Sequence, residues 1–260
     1  MIIDEDAQGT ASEGLIPPTA VSNLIIRRVL LNDDQLAELM KLIQPNRLES
    51  LNLYGCLYLK NPRIACRNLA FLDMSHTIIE DMTLRSIVSS CPSLNTLKLF
   101  NCRELHNPNI ISDSLVTIDF GYCSGLESPQ IMCPNLEDLS VRNTDITDAV
   151  LEAILANSGQ NNRLKILTIT QCNMLEKPRI RSSSLLTINA NNCELMLNPV
   201  FLCDSLLYLV LAESKMSDDD LERMFLNSSF LSLKSLDIRW CPNIKNPALP
   251  SHINIKIAKQ

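Results

Sequence analysis

Ten cysteines and three histidines are the residues of this chain with the richest potential chemistry. Grouped thiolates and imidazoles hold zinc, and paired thiols form disulfides. Their spacing supports neither use. C-x9-C recurs at 56/66, 123/133 and 193/203, but no C-x-x-C pair and no paired histidine accompanies it. Cys56, Cys102, Cys123, Cys172, Cys193 and Cys241 fall in one register of an internal repeat, and Cys66, Cys91, Cys133 and Cys203 in a second. Free cysteine packs as a small hydrophobe, so the expectation is ten reduced, buried thiols with no metal and no cofactor. His76 lies near Asp73, but no nucleophile is placed to use such a dyad, and it is expected to be a contact residue. His106 and His252 are expected to be solvated. Ser217-Asp218-Asp219-Asp220 lacks calcium-loop spacing and reads as a helix cap. No glycine-rich phosphate loop and no G-x-S-x-G elbow occurs.

The elements that position these residues come from a repeat, clearest where LNTLKLFNCRELHNPNIISDS is followed by LVTIDFGYCSGLESPQIMCPN. Both lines have 21 residues, with apolar residues at places one, four and six, Cys at nine, Leu at twelve, Pro at fifteen and Ile at seventeen. L-x-x-L-x-L-x-x-C with a fixed period is the frame of a leucine-rich-repeat solenoid. The frame begins at Val21 and restarts at Leu48, Leu69, Leu94, Leu115, Leu136, Leu164, Leu185, Leu206 and Leu233, which makes ten repeats. Six are short, with Pro62, Pro108, Pro129, Pro178, Pro199 or Pro247 at place fifteen. Four are longer, starting at Val21, Leu69, Leu136 and Leu206, and replace the proline segment with an amphipathic run that predicts a short helix. Asn32 with Gln35, Thr147-Asp148, Ser217 and, in the third repeat, Asp81 are the expected caps.

The expected class is α/β: a parallel sheet on the concave side, with helices and extended proline segments behind it. Strands stack about 4.8 Å apart while a helix is about 10 Å wide, so mixing the two back-side types predicts a shallower curve than helices alone. Residues 1–20 read as a disordered acidic leader, residues 21–260 as the array, and Ile253–Ile257 as a capping strand. The formal charge of −6 has four carboxylates in that leader (Asp4, Glu5, Asp6, Glu13), so the array is near neutral and nothing steers it to nucleic acid or an anionic membrane. No secretory signal pattern and no membrane-spanning apolar run is present, and ten reduced thiols point to the cytoplasm or nucleus.

Ser90-Cys91-Pro92-Ser93-Leu94 through Cys102 resembles the cysteine-containing repeats of F-box/LRR proteins, and Ile146-Thr147-Asp148-Ala149-Val150-Leu151 is similar to their I-T-D-x-x-L helix start. The resemblance covers residues 21 to about 257 and no F-box. It implies a protein-binding scaffold that serves as a substrate-recognition subunit with Skp–cullin ligase components as partners. The alternative is an enzyme or enzyme subunit with its site on a loop.

Places three, five, seven and eight of each repeat are expected to face the concave surface. They carry Tyr54, Phe71, Phe100, Tyr122, Tyr208 and Trp240, six of the chain's eleven aromatics. Tyr and Trp dominate binding hot spots. With His76 between Tyr54 and Phe100, and Arg239 beside Trp240, these eight residues are the expected partner-binding set.

Overall fold

The computed structural model describes residues 2–4, 21–157, 163–251 and 253–256. They form a leucine-rich-repeat array of two compact units, Met1–Gly125 with Pro129–Cys133, and Leu126–Ser128 with Pro134–Gln260.

In the first unit, β1 (Ile2–Asp4), β2 (Asn23–Arg27), β3 (Ser50–Asn52), β4 (Phe71–Asp73), β5 (Thr96–Lys98) and β7 (Thr117–Asp119) pair in parallel in that order. The fourth places stack on one another: Leu51 on Leu72, Leu72 on Leu97, Leu97 on Ile118. In the second unit, β9 (Asp138–Ser140), β10 (Ile166–Thr168), β12 (Thr187–Asn189), β14 (Tyr208–Val210), β15 (Ser235–Asp237) and β16 (Asn254–Lys256) do the same. Alternation turns places four and six of the ten repeats inward, where they are buried with the apolar residues of place one. Residues 2–4 correct the expected leader. Their backbone pairs with the otherwise unpaired edge of β2, and an edge strand offers that row of donors and acceptors to any extended neighbour. Residues 5–20, His252 and Ile257 lie outside the described residues.

Behind the sheets run α1 (Asp33–Leu42) and α2 (Asp81–Ser90) in the first unit, α3 (Asp148–Asn157) and α4 (Asp218–Asn227) in the second. Asn32 with Gln35 and Ser217 with Asp220 form reciprocal capping boxes. The third repeat differs from expectation: Glu80 is the N-cap and makes no side-chain cap, while Asp81 is already helical. The reason lies one repeat further on. Asp81 accepts the backbone N–H groups of His106 and Asn107 at 3.0 and 2.9 Å. Asp33 holds Lys60 and Asn61, Asp148 holds Glu176 and Lys177, and Asp218 holds Lys245 and Asn246 in the same two-pronged way. Each is place thirteen of a helical repeat, clamping places thirteen and fourteen of the short repeat that follows. Where two short repeats adjoin, their proline segments pair as strands, β6 (Asn109–Ile111) with β8 (Gln130–Met132) and β11 (Arg179–Arg181) with β13 (Val200–Leu202).

All ten cysteines are buried and unpaired. In each of the six ninth-place cysteines the Sγ–H donates to the place-six carbonyl of the preceding repeat, as from Cys102 to Met74 at 3.1 Å and from Cys193 to Ile169 at 3.0 Å. Thr77 and Thr144 fill the same slot and turn their hydroxyls to carbonyls of their own repeat. Burial pushes the thiols up, Cys102 to about 11 and Cys66, Cys133, Cys193 and Cys203 to about 12.

Candidate functional site: an aromatic run at the strand ends

Place eight holds every repeat to one backbone conformation. Arg28, Gly55, His76, Asn101, Tyr122, Asn143, Gln171, Asn192, Glu213 and Trp240 all have positive φ, from 51° to 74°. Nine of them carry a side chain into a region that costs roughly 1–2 kcal/mol outside glycine. The ladder holds them there: the place-eight N–H donates to the place-seven carbonyl of the next repeat, as from His76 to Phe100 and from Asn101 to Gly121. The place-seven N–H turns away from the ladder. In five repeats a place-five Asn or Asp accepts it: Asn52, Asp73, Asp119, Asn189 and Asp237. This task draws Asn52, Asp73 and Asp237 into burial, so place five is not uniformly free for contact as the frame alone implies.

With the backbone so fixed, places seven and eight of neighbouring repeats interleave. Tyr54, His76, Phe100 and Tyr122 alternate between them through repeats two to five, with ring centroids 4.9, 5.3 and 4.9 Å apart. Interplanar angles of 63°, 50° and 47° are the edge and tilted packings that the aromatic quadrupole favours. Arg28, place eight of the first repeat, extends the alternation by setting its guanidinium 5.9 Å from the Tyr54 centroid. The sequence reading passed over Arg28, although its place in the frame matched that of His76 and Tyr122.

His76 sits between Tyr54 and Phe100, as expected. Its Nδ1 accepts from the Asn101 amide at 2.9 Å, and the Asn101 carbonyl oxygen accepts from Arg103 Nε at 2.8 Å. Burial pushes this imidazole below its ordinary value; Asp73 pulls the other way, and Arg103 and Arg28 add to the lowering. The ring is therefore neutral at pH 7, with Nδ1 committed to Asn101.

The other expected residues divide. Phe71, at place three, lies four to five places from the run along the strands, about 13–16 Å away, beneath Lys98 Nζ at 5.6 Å from its ring. In the second unit Arg239 stacks on Trp240 at 5.0 Å and grips Asp237 through Nε and NH2. Burial pushes the Asp237 carboxyl up, but the bonds and charge of Arg239, with Lys256, outweigh it and hold it below the usual range. Tyr208 is in register with Ser235, five residues before Trp240 and so about 16 Å from it along the strand. Tyr208 therefore stands apart from Arg239 and Trp240, because place three opens the strand and place eight lies in the turn beyond it.

Two open clefts flank the start of the run. One, of about 450 Å³, is lined by Arg27, Arg28, Tyr54 and Asp73; the other, of about 300 Å³, by Arg28, Leu30, Tyr54, Gly55, Leu57 and His76. Leu30, Leu57, Tyr58 and Ile78 are exposed beside them at places ten and eleven. Among the described residues no three His, Cys, Asp or Glu side chains converge to hold a metal ion, and no helix is long and apolar enough to cross a membrane.

Repeat frame, stacked parallel strands and back-side helices define the chain as a leucine-rich-repeat protein whose sheet side carries a packed aromatic run. No protein-family model matches it. It is 26% identical over 211 residues to Protein SUPPRESSOR OF npr1-1, CONSTITUTIVE 1 of Arabidopsis thaliana, a stretch covering 72% of this chain and 14% of that protein. Among solved structures, an internalin (inlF) of Listeria monocytogenes is similar over 92% of this chain and 82% of its own, with 13% identity and a TM-score of 0.44. The Toll–Spatzle complex of Drosophila is similar over 94% and 38%, also at 13% and 0.44, and the yeast Rad7–Elc1 complex over 89% and 46%, at 15% and 0.33.

Proposed function

We propose that the chain is an interaction scaffold that binds a partner protein on its sheet side, with Tyr54, His76, Phe100 and Tyr122 at the centre of the contact in the first unit. The observation that carries this reading is the continuous ring packing across four successive repeats at places where the other repeats mostly put Arg, Asn, Gln, Thr or Glu. Rigid, pre-packed aromatics lose little side-chain entropy on binding, which suits a hot spot. Arg239 and Trp240 are a second, smaller contact, and Phe71 and Tyr208 are peripheral ones. His76 serves packing rather than proton transfer, since its Nδ1 is held by Asn101 and its faces by two rings. This favours binding over catalysis. The test is Tyr54→Ala with Phe100→Ala in one chain, measured for melting temperature and for partners recovered from native cells. Partner loss with stability nearly kept is expected; full recovery refutes the site.

The ninth-place cysteines and the I-T-D helix start support a narrower role as the substrate-recognition part of a Skp–cullin ligase in the cytoplasm or nucleus. Mass spectrometry of the same purification tests it: recovery without any Skp-like or cullin subunit removes that role and leaves the scaffold.

A further inference from the structure

We propose that the partner contributes an acidic linear segment, in which a carboxylate and a large apolar side chain lie close together and seat on either side of Tyr54. This rests on the scaffold reading above and names the chemistry of its partner. Tyr54 and Arg28 are shared by the two clefts, and the rest of their linings differs in kind. The larger presents Arg27 and Arg28 against one carboxylate, Asp73, which is 7% exposed and already accepts from the Ser75 N–H and Asn52 Nδ2. The smaller is walled by Leu30, Leu57 and the Tyr54 and His76 rings. Gly55, at place eight of repeat two, also lines it, and Arg28 packs closely on that glycine: a Cβ there would meet the Arg28 Cγ at 3.1 Å.

Among the described residues the exposed charges flanking the run are mostly cationic, with Glu104 exposed beside Arg103 and Asp4 across from Arg27 in the β1–β2 register. Arg27, Arg28, Lys98 and Arg103 are exposed, whereas Asp73 is buried and Asp119 is half-buried and accepts the Gly121 N–H. Glu104, beside Arg103, acts on Lys60 of the second repeat. A cationic rim around apolar seats attracts an anionic chain, and paired guanidiniums bind carboxylates with two-pronged geometry. A single-stranded nucleic acid would also bring negative charge, but it needs open ring faces for its bases. Here the rings pack on one another about 5 Å apart, and no gap admits a base. The exposed Leu30, Leu57 and Ile78 alongside suit apolar side chains instead.

The experiment is selection from a phage-displayed library of random peptides, about a dozen residues long, on the full chain at low salt. The same selection is run on Tyr54→Ala/Phe100→Ala, and recovered peptides are measured by fluorescence anisotropy on Arg27→Glu/Arg28→Glu. The expected peptides combine Asp or Glu with Leu, Ile or Phe. They bind at least about tenfold more weakly to the charge-reversed variant, and their affinity for the unaltered chain falls between about 0.05 and 0.5 M salt, a reading that needs no variant to fold. Neutral or basic peptides, acidic peptides indifferent to salt and to the charge reversal, or tighter binding of oligothymidine overturn the proposal. Loss of those same peptides on Tyr54→Ala/Phe100→Ala would then still leave the aromatic site standing. Equal selection on both chains, or no peptide enriched on either, overturns the proposal; undiminished partner recovery from cells by the double variant separately removes the site.

Discussion

Replacing Asp33 by Ala tests the clamp that joins a helical repeat to the short repeat after it. The carboxylate loses two charge-assisted bonds, to the Lys60 N–H at 3.1 Å and the Asn61 N–H at 2.8 Å. Bonds to charged groups contribute about 1.5–3 kcal/mol each, but Lys60 and Asn61 are exposed and water takes up part of the deficit. The lower end applies, about 2–3 kcal/mol for the pair, and Ala returns about 0.5 kcal/mol through helix propensity. A net loss of about 2 kcal/mol follows. Asp34 is the internal control: one residue along in the same first turn, exposed, with the same relation to the helix dipole but no comparable clamp in the structure. Asp34→Ala is expected to stay within about 0.5 kcal/mol of the parent. Urea titration gives both numbers, and hydrogen exchange locates the effect, since the Lys60 and Asn61 amides should exchange faster only in Asp33→Ala. Equal costs for the two substitutions, or unchanged exchange at those amides, would refute the clamp.

Glu213→Gly should raise stability by about 0.5–1 kcal/mol by freeing a side chain held at φ 58°, read from its urea midpoint; a loss would mean the ladder imposes no strain there. The ten buried thiols should resist iodoacetamide at pH 8 in the native chain, and all ten should react in denaturant without reductant. One fast native thiol or a shortfall on denaturation would contradict the packing role. His76 should make the fold pH-dependent. Its native value lies below the ordinary 6.5, so the unfolded chain takes up the proton first as pH falls. Stability from this group is complete above about pH 6.5 and declines below it; His76→Asn, with a side chain suited to positive φ, should flatten the melting temperature between about pH 7 and 5.

Much of this fold is written in the repeat frame, because places one, four, six and nine are apolar for a reason visible within a single repeat. The four helices and the cysteine registers are legible on the same ground. The clamp is not, since an Asp at a helix start has the composition of a cap; Asp81 reads as one until the His106 and Asn107 amides are seen against it. Strand β1 is hidden because three residues before a long acidic stretch carry no periodicity, and its partner supplies the pattern. The aromatic run was half legible. Tyr54, Phe100 and Tyr122 announce themselves by type, but only the shared positive φ of place eight shows why His76, and not Phe71, completes the row and why Arg28 heads it.

That column of left-handed residues also separates two kinds of inheritance. Because the backbone conformation at place eight is nearly the same in all ten repeats, its conformational penalty differs little among the larger side chains that stand there, Asn being the least costly. Arg, His, Asn, Tyr, Gln, Glu and Trp all occupy it. Change at this place can therefore rewrite what the surface recognises while the folding of the array goes on as before, and a duplicated repeat arrives with one ready-made variable letter.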